Sequence, residues 1–277
     1  MSEGYILNAV QSPGFLRPVY EAVQEGSATR DEIRSTTGLH EDAVKQATDG
    51  LRYVRLLGKE DGEYYTGSLP WKTGDEELSF RMAILHNLAA ECDPSDWGKQ
   101  AVVLLNYQYL LEKDVQYFQN DDQVIYGEIN DWHRSEKDYV PMSKQGEIDL
   151  NKNKFVNWSR IVTYLGLAHK ARGREHTVYP DPEIVETSIR LAIEDSGSDG
   201  RIEIKQYVDW LSEELLPVSL RSDGSIPPAF SRVLYNLVRD ERIELVEYGD
   251  AGAVSLAGTP GRPGISADAN AIEVVSE

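Results

Sequence analysis

One spacing in the 277-residue sequence matches a catalytic pattern: Pro180-Asp181 followed by Glu203-Ile204-Lys205. In magnesium-dependent nucleases, carboxylates hold the metal while a lysine steadies the attacking water. Those carboxylates belong at strand ends. Here Glu203 opens a stretch with Ile204, Val208, Leu211 and Leu215 at helical spacing, so the expected context argues against that chemistry. The five histidines (His40, His86, His133, His169, His176) form no H-x-x-x-H pair, and the lone Cys92 offers neither a disulfide nor a cysteine-cluster zinc site. Each histidine reads as a packing or surface residue. No P-loop, no G-x-G-x-x-G after a strand and no G-x-S-x-G occurs. The expectation is a non-catalytic chain without metal or cofactor. The nuclease alternative rests on Asp181, Glu203 and Lys205.

Binding chemistry has more to work with. The chain carries 47 acidic and 28 basic residues, a formal charge of −19, and 11 of the 28 bases are lysine. Acid spread evenly over a lysine-poor surface suits a salt-filled, haloarchaeal type of cytoplasm. In such salt, phosphate contacts are weakened, because the entropy of counterion release is lost. Against this background Asn151 to His176 stands out, with six bases (Lys152, Lys154, Arg160, Lys170, Arg172, Arg174) against Glu175. The local charge is therefore +5. Asn157 and Arg160 sit on one helix within it. Arginine and lysine at a helix end suit phosphates, and asparagine can read adenine. The alternative is that these bases pair with the acidic stretch 121–149, which holds eight acids and three bases.

The elements that must position these residues follow from periodicity and turn chemistry. Leu16 to Gln24 is amphipathic, Thr29-Arg30-Asp31-Glu32 is a capping box, and His40 to Tyr53 gives a third helix. Asp61-Gly62 between two short strand-like runs marks a hairpin. That order is a winged helix-turn-helix over residues 1–72. Its third helix would present Glu41, Lys45, Gln46, Asp49 and Arg52 to a groove, with Arg55 and Lys59 reaching phosphates. Because acids crowd that helix, a protein-binding role is as good a reading as DNA contact.

Residues 73–196 read as a helical middle domain, with helices at 78–91, 100–119, 155–169 and 183–194 and an acidic surface loop at 121–149. Ser196-Gly197-Ser198-Asp199-Gly200 reads as a linker. A second winged-helix-like domain follows over 197–258, its wing formed by 243–247 and 253–256 around Gly249-Asp250-Ala251-Gly252. Pro, Gly, Ser and Ala dominate from Thr259, so 259–277 reads as a disordered tail. No stretch is apolar for the roughly 18 residues that a membrane span needs, and Met1 to Val10 lacks a signal-peptide pattern. The expectation is a cytoplasmic protein. Its fold class is mainly α (α+β), with winged helix-turn-helix units at both ends joined by a helical middle.

A family resemblance adds to this. Trp158, Tyr164-Leu165-Gly166-Leu167, Pro180-Asp181-Pro182, Leu215-Leu216-Pro217-Val218, Ser231-x-x-Leu234-x-x-Leu237 and the acidic hairpin at 243–250 resemble the back half of DpdG-type proteins. Those accessory proteins belong to gene clusters that place 7-deazaguanine bases into DNA and restrict unmodified DNA. The resemblance covers residues 150–257 and implies a subunit of a phage-defence complex. It carries over no catalytic residues. The leading expectation is a non-catalytic DNA-binding or scaffold subunit whose partners are double-stranded DNA and other defence subunits. The candidate contacts are Lys45, Gln46, Arg52, Arg55, Lys154, Asn157, Arg160, Lys170, Arg172 and Arg174. The alternative is a winged-helix transcriptional regulator acting on an operator as a homodimer.

Overall fold

A computed structural model describes residues 4–143, 146–247, 252–256 and 268–275. The architecture is mainly α with small antiparallel sheets, as expected. It divides into two compact units: 1–106 with 119–165, and 107–118 with 166–277. This division departs from the expected domain limits near residues 72 and 196.

The first unit begins with a short helix, α1 (Ile6–Ala9), followed by α2 (Leu16–Gln24), α3 (Arg30–Thr37), α4 (Glu41–Tyr53), β1 (Leu57–Glu60) and β2 (Glu63–Thr66). This is the helix order and hairpin expected from the sequence. The Thr29 side chain accepts from the Glu32 N–H and Glu32 reaches back to the Thr29 N–H, so both halves of the capping box form. Gly38 ends α3 at φ 68°, a left-handed conformation that glycine adopts without strain. Asp61 and Gly62 both have positive φ, as a tight hairpin turn requires. α1 packs against α4, with Val10 seated over Gly50.

Then come α5 (Glu76–Ala89), α6 (Val102–Glu112), β3 (Tyr117–Gln119), α7 (Gln123–Glu136), the ribbon β4 (Met142–Ser143) and β5 (Gly146–Glu147), and α8 (Lys152–Tyr164). The division between the units falls within α6. Two expectations are corrected here. The helix expected over 100–119 stops at Glu112, because Asp114 turns left-handed at φ 53° and the Val115 N–H bonds back to the Leu110 carbonyl. About half of the stretch expected as an acidic loop, 121–149, is α7. Asp122 caps it by accepting from the Val124 and Ile125 N–H groups, and Ile129, Trp132 and His133 are buried. Acids on its outer face masked an apolar stripe on its inner one.

The second unit holds β6 (Ala168–Arg172), β7 (Glu175–Val178), α9 (Pro182–Ser196), β8 (Arg201–Glu203), α10 (Ile204–Glu214), α11 (Pro228–Arg239), β9 (Ile243–Val246), β10 (Val254–Ser255), β11 (Asp268–Ala269) and β12 (Ala271–Val274). One sheet has the order β3-β7-β6, and another has the order β8-β12-β9. The expected tail therefore supplies a central strand: Ile272 pairs with both Ile202 and Leu245, and its side chain is fully buried. Compositional bias at 259–267 hid the buried run Ala269-Asn270-Ala271-Ile272. β10 pairs with β11 rather than with β9. The expected wing turn at Gly249-Asp250-Ala251 lies outside the described residues. Ser196 to Gly200 is a turn inside this unit: Gly197 caps α9 at φ 67°, and β8 follows at once.

Three helices end alike. Arg55 after α4, Gly166 after α8 and Glu241 after α11 take φ of 58°, 74° and 58°, each two residues before a strand. The Leu56 N–H bonds to the Leu51 carbonyl and the Arg242 N–H to the Leu237 carbonyl, closing the same reversed turn.

Candidate nucleic-acid interface

The basic segment 151–176 is split by the fold. Lys152, Lys154, Asn157 and Arg160 lie on α8 in the first unit, whereas Lys170, Arg172 and Arg174 lie on the β6–β7 hairpin in the second.

Several polar side chains of α8 bond to their own chain, although Lys152, Asn153 and Arg160 remain exposed. Asn151 caps the helix by accepting from the Lys154 N–H. Asn157 Nδ2 donates to the Leu7 carbonyl at 2.9 Å, and Arg160 donates to the Gln11 carbonyl at 3.2 Å. Lys154 Nζ donates to the Asp149 carbonyl at 2.6 Å, and partial burial holds its pKa below the usual lysine value. Lys152 sits 3.5 Å from Asp121, within the acidic stretch. On the inner face, Trp158 is fully buried and donates to the Val103 carbonyl. Of the bases on α8, Lys152 and Lys154 turn to the acidic stretch 121–149, whereas Arg160 bonds to the Gln11 carbonyl outside it.

The hairpin carries the rest of the basic segment. Lys170, Arg172 and Arg174 are exposed. The register shifts between Lys170 and Arg172, leaving Ala171 as an extra residue, and Gly173 turns the chain at φ 57°. A bulge twists a strand and re-aims its side chains. The base of the hairpin is rigid: His176 stacks on Phe118 at 5.1 Å and 13°, and His169 stacks on Tyr179 at 4.2 Å. Burial holds the His176 pKa below the usual histidine value, opposed by the Arg174 carbonyl that faces Nδ1, so its ring adds no charge near neutrality.

No protein-family model matches the chain, and no curated protein is similar to it in sequence. Among solved structures, the chain is similar to "Magnesium ion-bound SspB crystal structure" (13% identity, TM-score 0.45) and "SspB crystal structure" (14%, 0.44), each covering 97% of this chain and 82% of the other. Similarity at that level fixes neither fold nor activity.

The N-terminal candidates are mixed. Lys45 is exposed, and Gln46 and Arg52 are half-buried. Arg52 and Arg55 line a cleft of about 610 Å³ with Glu91, Asp93, Asp96 and Lys99, and Arg55 is ion-paired with Glu91. Asp49 pairs with Arg30 at 3.1 Å. The hairpin of this unit carries Glu60, Asp61 and Glu63 beside Lys59, and Lys59 lies over the Tyr64 ring. One hairpin tip thus holds three acids to one base, while the β6–β7 tip and its flank hold three bases to one acid. In the second unit, Arg242 is ion-paired with the largely buried Glu186, which Arg190 also holds, and Arg239 pairs with Asp240.

The nuclease residues have structural surroundings that their spacing did not show. Asp181 caps α9 by accepting from the Glu183 N–H, with Pro182 at the first helical position. Glu203 ends β8 and precedes α10, so it is at a strand end after all. Among the described residues, no three His, Cys, Asp or Glu side chains are grouped as a metal site needs. Burial pushes the Cys92 thiol up to about 12, which leaves it protonated near neutrality. Among the described residues, no helix is long and apolar enough to cross a membrane.

Proposed function

We propose that this protein is a non-catalytic, DNA-binding subunit of a DNA-modification or restriction system. The observation that carries the reading is the exposed cationic tip of the β6–β7 hairpin in a chain of net charge −19. Exposed arginine and lysine on a rigid hairpin suit phosphate oxygens, and the bulge at Ala171 spreads them along the strand. The resemblance to DpdG-type proteins supplies the setting: a complex whose other subunits hold the chemistry. The expected location is the cytoplasm, where such complexes meet DNA.

The test has two arms. Lys170→Glu with Arg172→Glu should abolish retention of a duplex fragment, while Arg52→Glu leaves it unchanged. Equal losses would mean the wrong surface has been chosen. A pull-down from the native host at native salt should recover products of neighbouring modification or restriction genes. Recovery of the protein alone, with a footprint over one palindromic operator, would favour a regulator instead.

A further inference from the structure

We infer that the second unit binds single-stranded DNA on the outer face of its β3-β7-β6 sheet, stacking one base on Tyr117 while Arg172 takes a phosphate. This rests on the DNA-binding reading above and adds the class of DNA: an unpaired strand in preference to duplex.

Strand alternation assigns the faces of the sheet. Residues i and i+2 of a strand share a face, and residues paired across strands point the same way. Phe118 stacks on His176, and both are buried with Val178, so these three mark the inner face. The Val178 N–H bonds to the Gln116 carbonyl, which sets β3 alongside β7. Tyr117 and Thr177 therefore belong to the outer face. His169 pairs in register with Thr177, and Arg172 with Glu175, so they lie on that face as well. The half-buried His169 and Tyr179 stack on each other at 4.2 Å and 23° and fill one corner. The face is open at the β3 edge, where Tyr117 is 58% exposed, and at the hairpin tip, where Arg172 is exposed.

A lone exposed ring is ordinary on a protein surface. Two features single out Tyr117. Among the described residues no other ring stacks on it, and no ion pair or side-chain hydrogen bond holds Arg172. Between them stands Thr177, a short side chain whose hydroxyl donates to the His169 carbonyl at 3.2 Å. Two strand spacings and two residues of rise separate Tyr117 from Arg172, roughly 12 Å between Cα atoms. A nucleotide stacked on the ring can put its phosphate within reach of the guanidinium. The face of a base is free only in an unpaired strand, because in a duplex its neighbours cover it. Stacking also suits a chain of charge −19, since it does not draw on counterion release and persists where salt weakens phosphate contacts.

The experiment is fluorescence anisotropy of the full chain on a labelled single strand of about 20 nucleotides, longer than one binding site, and on a duplex of the same length. The single strand should bind about tenfold more tightly than the duplex, a ratio within what one stacked base supplies. Tyr117→Ala should remove that ratio by weakening the single strand alone, while Tyr117→Phe, which keeps the ring, should bind as the parent does. Because Tyr117 is exposed, the alanine variant should melt as the parent does, so lost binding would not be lost fold. Arg172→Gln should weaken both DNAs and flatten the slope of log K against log salt by roughly 0.9. Duplex bound as tightly as the single strand, or a single-strand affinity untouched by Tyr117→Ala, overturns the stacking face and leaves DNA binding in place. Poly-glutamate bound as tightly as the strand would assign the face to an acidic protein instead. Failure to bind either DNA removes the DNA-binding reading itself.

Discussion

Acidification should destabilise the first unit through one side chain, His133. Its ring is buried in α7, with its centroid 5.2 Å from that of Tyr139 in a T-shaped contact and 5.6 Å from that of Trp132, and its Nε2 has no hydrogen-bond partner. Burial, and then the nearby charges of Arg134 and Lys137, hold its pKa down from 6.5 to about 3. The folded pKa lies below the unfolded one, so the unfolded chain takes up the proton first. Stability from this group is full well above pH 6.5, falls as pH drops through that value, and levels off below about 3. Between pH 7 and pH 5 the unfolded ring becomes almost wholly protonated while the folded ring stays neutral, a loss of about 2 kcal/mol. Any folded pKa below about 4 gives nearly the same figure, because the unfolded state dominates over that range. Urea unfolding followed by tryptophan fluorescence would compare the parent with His133→Phe at both pH values. The variant cannot titrate at this position, so the carboxylates shared by the two proteins cancel in the difference. The parent should lose about 2 kcal/mol more than the variant over the interval. A difference under about 0.5 kcal/mol would refute the argument, since it would mean that His133 is protonated in the folded chain near its ordinary pKa.

Ile272→Asp should unfold the second unit by placing a carboxylate in the middle of the β8-β12-β9 sheet. A loss of about 4 kcal/mol or more is expected in thermal melts, whereas a substitution in a dispensable tail would leave the melt unchanged. Gly50→Ala should destabilise the first unit despite the higher helix propensity of alanine, because the new Cβ would lie 2.4 Å from Val10 Cγ2. A net cost of about 1–2 kcal/mol remains after the propensity gain, and an unchanged or raised Tm would show that α1 is not seated there. Trp158→Phe removes the indole donor to the Val103 carbonyl, which as part of α6 also has a helical partner, and should cost about 1 kcal/mol, read from urea unfolding. An unchanged stability would mean that the indole bond contributes nothing.

The N-terminal unit was legible because its signals are local. Thr29 and Glu32 cap a helix, Gly38 ends it, and Asp61-Gly62 closes a hairpin, all within the residues concerned. β12 was not legible, because a strand of four residues gains its stability from neighbours about 70 and 30 positions away in sequence, at Ile202 and Leu245. α7 was obscured because its acids dominate the composition, whereas Ile129, Trp132 and His133 define its buried stripe. The candidate interface was half legible. Charge counting found the basic segment, but spacing alone could not show that Asn157 and Arg160 bond to carbonyls about 150 positions earlier. Two of the three reversed turns, at Arg55 and Gly166, left a faint trace, Tyr53-Val54-Arg55-Leu56-Leu57 against Tyr164-Leu165-Gly166-Leu167-Ala168. Comparing the segment after each long helix would have exposed it.

The strand order of the second unit also constrains its synthesis. β8 and β9 emerge from the ribosome without the strand that must lie between them, and β12 is delivered only when residues 271–274 have been translated. Until then both strands present unsatisfied backbone edges, the kind of surface on which nascent chains associate wrongly. Charged residues on and beside these strands (Arg201, Glu203, Arg242 and Glu244) make such exposed edges costly to bury, which disfavours pairing between growing copies before the sheet can close.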